Sequence, residues 1–329
     1  MIANNRMKPF IKATWRMSLA CSLVFACAQL ADAQVKLKFS GDHVSVAIAG
    51  APFTDFYTGA AYPKPFLWPL RSATGLIVTR GFPMQTIQGE SHDHPHQRGL
   101  FIGYGDINGI NFWANETANP GNNKGRIVIR NIEKLKSGKK SGLVRALFEW
   151  HDPGGANIMN EDRTMVFYDE TGIRTIDFDI TFTPKINLQW ADTKEGFFAI
   201  RLADSIDEDH GGKITNAEGA QGEKNVWGKR ARWVDYSGRV EGQTAGVTIF
   251  PAPSNPRYPP YWHVRAYGLF AANPWGLKDF IKDPQADGGG LKLAAGQSMR
   301  LRYRVIIHGS DITPLNLPDL YSRYLQTLK

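Results

Sequence analysis

Three histidines occupy alternate positions in the segment Glu90-Ser91-His92-Asp93-His94-Pro95-His96-Gln97-Arg98-Gly99. In an extended conformation the rings of His92, His94 and His96 project from the same side and could share one divalent metal ion. Pro95 lacks an amide hydrogen, which favours a rigid loop at a sheet edge. Proton transfer, hydrogen bonding to a hydroxyl group, or a solvated polar loop would explain the same residues. Further candidate metal ligands are Glu116 and Asp106.

A second polar cluster lies much later in the chain, in Tyr261-Trp262-His263-Val264-Arg265-Ala266-Tyr267-Gly268. As a strand, this segment places His263, Arg265 and Tyr267 on one face. Arg265 could bind a carboxylate or an oxyanion, and His263 or Tyr267 could donate or accept a proton. The alternative interpretation is a salt-bridged sheet surface. We expect this face to meet the histidine segment in one cleft.

One carboxylate and several aromatic residues could complete such a site. Glu195 precedes the apolar run 197–202, where it could act as an acid, a base or a ligand, or pair with a cation. Indole rings near polar clusters could stack on sugar rings, although they also fill protein cores. The candidate substrate-binding residues are His94, Arg98, Asp106, Asn108, Trp113, Trp233, Asn255 and Asn273.

The elements that must position these residues are mostly strands. Apolar and polar residues alternate in 175–182 and in 299–305, and Asn108-Gly109 predicts a tight hairpin turn between apolar segments. Only the carboxyl end has a helical apolar stripe, and Asn316 could cap that helix. The sequence predicts an all-β fold, a large antiparallel β-sandwich or supersandwich with a short C-terminal helix, as a single domain over 34–329.

The amino-terminal residues predict export. A basic start without acidic residues, an apolar run over 17–30 and the triplet Ala31-Asp32-Ala33 are typical of a signal peptide, 1–33, cleaved before Gln34. A membrane-anchoring helix would need a longer apolar run, and lipoprotein processing at Cys27 is a less favoured alternative. Both cysteines, Cys21 and Cys27, lie in this segment. We expect a periplasmic or extracellular protein without thiol chemistry.

The remaining composition limits the partners. The formal net charge of the whole chain is +8, with 39 Lys and Arg against 31 Asp and Glu, and no concentrated basic stripe is present. This balance permits attraction to an acidic polymer but does not indicate a nucleic-acid partner. No segment after the leader is apolar over the length of a membrane span.

Several motifs together resemble one known family. These motifs are His94-Pro95-His96-Gln97-Arg98-Gly99-Leu100, Gly105-Asp106-Ile107-Asn108-Gly109 with Phe112-Trp113, Lys194-Glu195-Gly196, Trp227-Gly228-Lys229 and the stretches 233–238, 253–256 and 262–276. Through them the chain resembles, roughly over 80–310, a bacterial family of mostly exported proteins that is catalogued as methane oxygenase PmoA. The family usually has a second histidine where this chain has Gln97, which weakens a metal centre that needs that imidazole. The resemblance implies a β-sandwich associated, by analogy, with polysaccharide and glycoside breakdown.

The leading hypothesis is a carbohydrate-active enzyme that cleaves a glycosidic bond. In a β-elimination, Arg265 with Asn255 or Asn273 would neutralise an acidic or keto sugar. The proton would then be moved by one of three residues, His96, His263 or Tyr267. In a hydrolysis two carboxylates must flank the bond, and the candidates are Glu195 and Asp106. The absence of an obvious acid pair favours elimination.

Two hypotheses from other classes remain open at this point. One is a non-catalytic glycan-binding envelope protein that uses its tryptophans as platforms. The other is a metal-dependent oxygenase. The sequence does not decide the oligomeric state.

Overall fold

Alternating apolar and polar residues form long strands in the structure, a computed structural model. In the strand Ile173–Pro184, the inward residues Ile176, Phe178, Ile180 and Phe182 are at most 2% exposed. Their neighbours in sequence are less buried, as the period of two predicts. The same alternation runs from Met299 to Tyr303, after which every residue up to His308 is buried. The strands and helices are β1 (Val35–Ser40), β2 (His43–Ile48), β3 (Ala51–Tyr57), β4 (Phe66–Trp68), β5 (Leu100–Tyr104), β6 (Arg126–Lys136), β7 (Ser141–His151), β8 (Asn157–Glu170), β9 (Ile173–Pro184), β10 (Leu188–Trp190), β11 (Gly196–Arg201), β12 (Lys213–Asn216), α1 (Glu223–Val226), β13 (Val234–Val240), β14 (Gln243–Pro251), β15 (Tyr261–Val264), β16 (Leu269–Asn273), α2 (Leu277–Ile281), β17 (Leu291–Leu293), β18 (Met299–Gly309) and α3 (Leu317–Thr327).

These strands form two large antiparallel sheets. The first sheet has the order β1-β2-β3-β4-β5-β11-β16-β15, and the second has the order β12-β13-β14-β18-β9-β8-β7-β6. Strands β10 and β17 pair separately. The sheets pack face to face: the ring of Phe178 on β9 lies 4.9 Å from that of Phe198 on β11. The predicted all-β antiparallel sandwich is therefore confirmed, with eight strands in each large sheet.

The structure describes residues 1–2, 34–119, 121–283, 288–310, 312 and 316–328. Most of the predicted signal peptide lies outside these residues, so export and cleavage before Gln34 stay predictions. All the strands belong to one compact unit, Ala33–Lys329. Within the described ranges, no helix is both long and apolar enough to cross a membrane.

The two sheets also carry apolar layers on their outer faces. On the second sheet, α3 packs through Tyr321 and Tyr324 against Phe250 of β14. Asn316 precedes α3, but its side chain does not make the expected capping hydrogen bond. On the first sheet, a separate apolar cluster is covered by the loops that follow β4 and β5. Those loops contain the histidine segment and Trp113, so this face positions the candidate site.

The predicted hairpin after β5 is correct in its turn and wrong in its second arm. Asn108 and Gly109 both have positive φ, 53° and 79°, as a type I′ turn requires. Beyond the turn, only a single bridge joins Ile107 to Ile110. The side chain of Asn111 then accepts hydrogen bonds from the next backbone amides, which bends the chain into a loop instead of a strand.

Candidate functional site

A row of outward-facing side chains crosses five strands of the first sheet. The strand register pairs Phe66 with Phe101, Phe101 with Ala199, Ala199 with Ala271, and Ala271 with His263. Side chains of directly paired residues point to the same face of a sheet. The two alanines leave room above the sheet, and the side chains of Trp113 and Tyr267 pack into the cluster that contains them.

The histidine segment turns above this row instead of remaining extended. His94 has a φ of 41°, and the amide of Gln97 donates to its carbonyl oxygen at 3.0 Å. His92 points elsewhere and stacks on Phe82, with ring centroids 5.0 Å apart. The expectation that His92, His94 and His96 share one metal ion is therefore wrong, because the turn removes the common side. Across the described residues, no three His, Cys, Asp or Glu side chains are grouped to hold a metal.

His94 is an exposed imidazole oriented by a carboxylate. Its Nδ1 lies 2.7 Å from Oδ2 of Asp93, and its side chain is 41% exposed. Partial burial raises the pKa of Asp93, but the nearby Arg201, His94 and Arg80 outweigh it and leave that pKa below its usual range. Because the ionised carboxylate only accepts hydrogen bonds, Nδ1 carries the proton. The Nε2 atom of neutral His94 is then a proton acceptor.

The two segments that are far apart in the sequence meet at His94 and Tyr267. Their rings are stacked, with centroids 5.1 Å apart and planes inclined by 10°. The guanidinium of Arg265 lies 5.7 Å from the Tyr267 ring centroid. Burial raises the pKa of Tyr267, so the phenol keeps its proton at neutral pH. The contact places a proton acceptor beside a proton donor.

His96 lies beneath this pair and is 5% exposed. Its ring is 5.6 Å from that of His94 and 6.3 Å from Trp113, and its Nδ1 lies 3.3 Å from the side-chain amide of Asn119. Burial, aided by the charge of Lys64, lowers the pKa of His96 to about 3. His96 is therefore a neutral part of the floor.

Two charged contacts hold the loop that carries Trp113. Lys64 is buried and donates to the Trp113 carbonyl oxygen at 2.8 Å and to Asn115 Oδ1 at 2.6 Å. Burial lowers the pKa of Lys64 to about 7. Arg98 donates to both oxygens of Glu116, at 2.8 and 3.1 Å. Glu116 was expected as a candidate metal ligand; in the structure it binds Arg98 and so fixes the loop.

Glu195 reaches the site from the loop before β11. Its carboxylate lies 2.8 Å from the Lys194 ammonium, and its side chain is 35% exposed. A Cβ at Gly105 would lie 2.7 Å from that of Glu195, so the glycine makes room for it. Asn273 donates to the carbonyl oxygens of Thr193 and Lys194 at 2.9 and 3.0 Å. Asn273 therefore positions the Glu195 loop.

His263 contacts the same loop from β15. Its Nδ1 donates to the Lys194 carbonyl oxygen at 2.9 Å, and its side chain is buried. Burial lowers the pKa of His263 to about 4, which keeps the imidazole neutral. Its neighbour on the same face, Arg265, is 37% exposed, and its Nε lies 3.3 Å from Glu223.

Four expected binding residues lie in structural contacts elsewhere. Asp106 accepts a hydrogen bond from the Gly109 amide, and Asn108 bonds the backbone of Asn187 and Gln189. Asn255 pairs with the backbone of Arg302, and Trp233 packs in the cluster beneath α3. The sequence shows that these side chains are polar or aromatic, but only their contacts in the folded chain show that they lie away from the candidate site.

Three buried residues at the site were not singled out from the sequence. Arg80, Gln97 and Arg201 are at most 1% exposed and lie below His94 and Tyr267. The available signal was a cation, Arg201, at the end of the apolar strand β11. A buried guanidinium requires hydrogen-bond partners, so its presence there indicates a polar network.

These features define an antiparallel β-sandwich that carries titratable side chains on the outer face of one sheet. The chain belongs to a family of unknown function, DUF6807, whose model matches residues 43–322. The suspected assignment to the methane oxygenase PmoA family is wrong, because the matching model is DUF6807. No curated protein matches the chain.

Solved structures of low identity are similar to this chain. A galactose mutarotase-like protein from Clostridium acetobutylicum has 11% identity and a TM-score of 0.40, with 84% of this chain and 99% of that chain covered. A galactose 1-epimerase from Lactobacillus acidophilus has 6% identity and a TM-score of 0.37, with coverages of 84% and 98%. An α-galactosidase from Lactobacillus brevis has 9% identity and a TM-score of 0.41 over 84% of this chain. The chain spans 40% of that enzyme's length.

Proposed function

We propose that this protein is a carbohydrate-active enzyme that cleaves a glycosidic bond by β-elimination. The observation that carries the proposal is the stacked pair of His94 and Tyr267, with Asp93 behind the imidazole and Arg265 beside the phenol. The substrate would be a sugar with a carbonyl or carboxylate group next to the carbon that loses its proton.

Each step can be assigned to one side chain. Arg265 binds the carbonyl or carboxylate oxygen and stabilises the negative charge that develops there. Nε2 of His94 takes the proton from the adjacent carbon, and the C–H electron pair forms the new C=C bond. The C–O bond to the leaving sugar breaks, its electron pair stays on the oxygen, and Tyr267 gives that oxygen a proton.

Elimination is favoured over hydrolysis because the candidate carboxylates other than Glu195 are bound by guanidinium groups or held in a turn. Hydrolysis requires two carboxyl groups that flank the bond. Glu195 is 35% exposed and pairs with Lys194. Asp93 is 40% exposed, but two guanidinium groups bind it, and Arg98 binds Glu116. The other expected partner, Asp106, is held in the turn with Gly109.

The test compares matched variants on a panel of uronic-acid and keto-sugar glycosides. Elimination produces an unsaturated sugar, which is detected by the ultraviolet absorbance of its conjugated double bond. We expect H94Q and Y267F each to lower kcat about 100-fold or more, because each removes a proton-transfer group. E195Q should retain activity within about tenfold, since Glu195 transfers no proton in this mechanism.

Three results would contradict the proposal. A saturated product, together with an inactive E195Q variant, would indicate hydrolysis that depends on Glu195. Activity that survives both H94Q and Y267F would place the chemistry elsewhere. Sugar binding without any product would indicate a glycan-binding protein.

A further inference from the structure

Arg201 is the last residue of β11, and it is fully buried below the two side chains that the proposed elimination uses. Its outward neighbours on the sheet are apolar, since it pairs with Leu269. A guanidinium group has five N–H donors and no acceptor, so its burial requires several oxygen partners. The positions of those partners indicate what Arg201 does.

One side of the Arg201 guanidinium contacts the residues behind His94. Its Nη2 donates to Asp93 Oδ1 at 2.9 Å and to Ser91 Oγ at 3.0 Å. Asp93 uses its other oxygen to hold Nδ1 of His94. Arg201 therefore fixes the carboxylate that orients the proposed base.

The other side of the guanidinium contacts the residues around Tyr267. Its Nη1 donates to Oε1 of Gln97 at 2.8 Å, and its Cζ lies 4.6 Å from the Tyr267 ring centroid. Because Arg201 can only donate, the amide oxygen of Gln97 must face it, and the amide nitrogen of Gln97 remains a donor. A hydrogen bond from the side chain of Gln97 would lower the pKa of Tyr267, against the larger effect of burial, which raises it.

We propose that Arg201 is a positioning residue that holds His94 and Tyr267 in one fixed arrangement, through Asp93 on one side and through Gln97 on the other. Its catalytic meaning rests on the proposed elimination, whereas the arrangement itself can be measured without any substrate. Arg201 touches no reacting atom and acts only through its neighbours.

Arg80 provides a matched control. It is also fully buried, and it donates to Asp93, to Ser91 and to the His94 carbonyl oxygen. Unlike Arg201, it makes no hydrogen bond to Gln97 and no cation–π contact with the Tyr267 ring among the described residues. Replacing Arg80 therefore removes a buried cation of the same kind from the same network, but spares the Tyr267 side.

The experiment measures the titration of Tyr267 by NMR in protein labelled at the tyrosine ring, for wild type, R201M and R80M. The groups that act on this phenol are Gln97, Arg201, Arg265 and Glu195, and the ring of His94 is stacked on it. We expect R201M to raise the pKa of Tyr267 further, because a cation that favours the phenolate is lost. R80M should leave the pKa of Tyr267 where it is in wild type.

The ring-proton shifts of His94 provide a second readout, since they report the ring current of the stacked Tyr267. R201M should change these shifts, and Q97L should raise the pKa of Tyr267 in the same direction as R201M. With an identified substrate, R201M should lower kcat on the order of 100-fold, with little change in KM, as expected for misplaced groups. R201K keeps the charge but not the fork of donors, so it should restore only part of kcat.

If R201M does not fold, Q97L tests the Tyr267 side alone. An unchanged pKa of Tyr267 in R201M and in Q97L would overturn the proposal, as would equal shifts in R201M and R80M. These results are independent of the proposed function. A wild-type protein that forms no product would refute the elimination and leave the titration of Tyr267 as expected.

Discussion

His96 and His263 were both expected to move protons, and both are buried and neutral at the site. Burial lowers the pKa of His96 to about 3 and that of His263 to about 4. An unfolded histidine binds a proton near pH 6.5. Both residues therefore favour the folded state above that pH, and this contribution is lost as the pH falls towards the folded pKa values.

This linkage predicts a specific pH dependence of stability. The free energy of unfolding should fall between pH 6.5 and pH 4, because the unfolded chain takes up protons that the folded chain rejects. The H96N/H263N double variant cannot take up these protons, so its slope over this range should be shallower. Urea unfolding at several pH values measures both slopes.

His308 acts in the opposite direction and serves as the internal comparison. Burial lowers its pKa, but Asp235, 2.9 Å away, outweighs burial and raises it. Its contribution to stability is present below pH 6.5 and is lost as the pH rises through the raised value. H308N should therefore remove the gain in stability that wild type shows as the pH falls from the raised value to pH 6.5, and should change the slope between pH 6.5 and pH 4 little. Identical slopes in wild type and in the H96N/H263N variant would refute the assignment.

At the scale of single elements, two tryptophans that were both expected to bind the substrate have different roles. Trp113 lies in the loop after β5 and contacts His96 and Phe101. Trp233 directly precedes β13 and packs with Phe250 and with Leu317 and Tyr321 of α3. Trp233 was expected to contact a sugar, but in the structure it packs against the C-terminal helix.

Substitution of the two tryptophans should affect sugar affinity differently. W233A leaves a cavity beneath α3 and should lower the free energy of unfolding by about 3–5 kcal/mol. Its folded fraction should keep the sugar affinity of wild type, as measured by calorimetry below the unfolding temperature. Trp113 is itself only 1% exposed, so W113A should weaken sugar binding indirectly, by removing the packing that supports His96 and Phe101 at the site. A loss of affinity in W233A at a temperature where it is folded would place Trp233 in a binding site.

At the scale of the whole molecule, a buried ion pair lies between the two sheets. Arg163 and Glu161 of β8 face the core, with an N···O distance of 2.6 Å, and both are at most 2% exposed. The Trp150 indole donates to Glu161 at 2.8 Å, and Arg163 lies over Phe148 and over Phe56 of the opposite sheet. The ion pair is therefore part of the packing interface between the two sheets.

Breaking this pair should cost more than replacing it. R163M leaves the Glu161 carboxylate buried without a cation and should lower the free energy of unfolding by about 3–5 kcal/mol. The E161L/R163M double variant removes both charges and should recover most of that loss. Denaturant unfolding of both variants measures the difference. A double variant that is less stable than R163M would show that the charges themselves stabilise the sandwich.

Part of the candidate site could be predicted from residue types alone. His94, His96, His263, Arg265, Tyr267 and Glu195 are polar groups in otherwise apolar strands or in polar loops, and all of them lie on one face of the first sheet. The spacing of His92, His94 and His96 could not show that their rings point in different directions. His94 has a positive φ, which turns the segment and separates His92 from the other two. Asp106 and Asn108 carry the same polar signal, but they hold a turn.

The amino-acid sequence by itself determined the all-β architecture, because a period of two along each strand dictates which residues are buried. Only the tertiary structure decided which polar residues meet, because strand order and register depend on pairings between residues far apart in the chain. Arg201 and Gln97 illustrate this limit: their roles follow from Tyr267 and Asp93, which reach them from other strands and loops. A local sequence pattern does not predict contacts with residues that are distant in the chain.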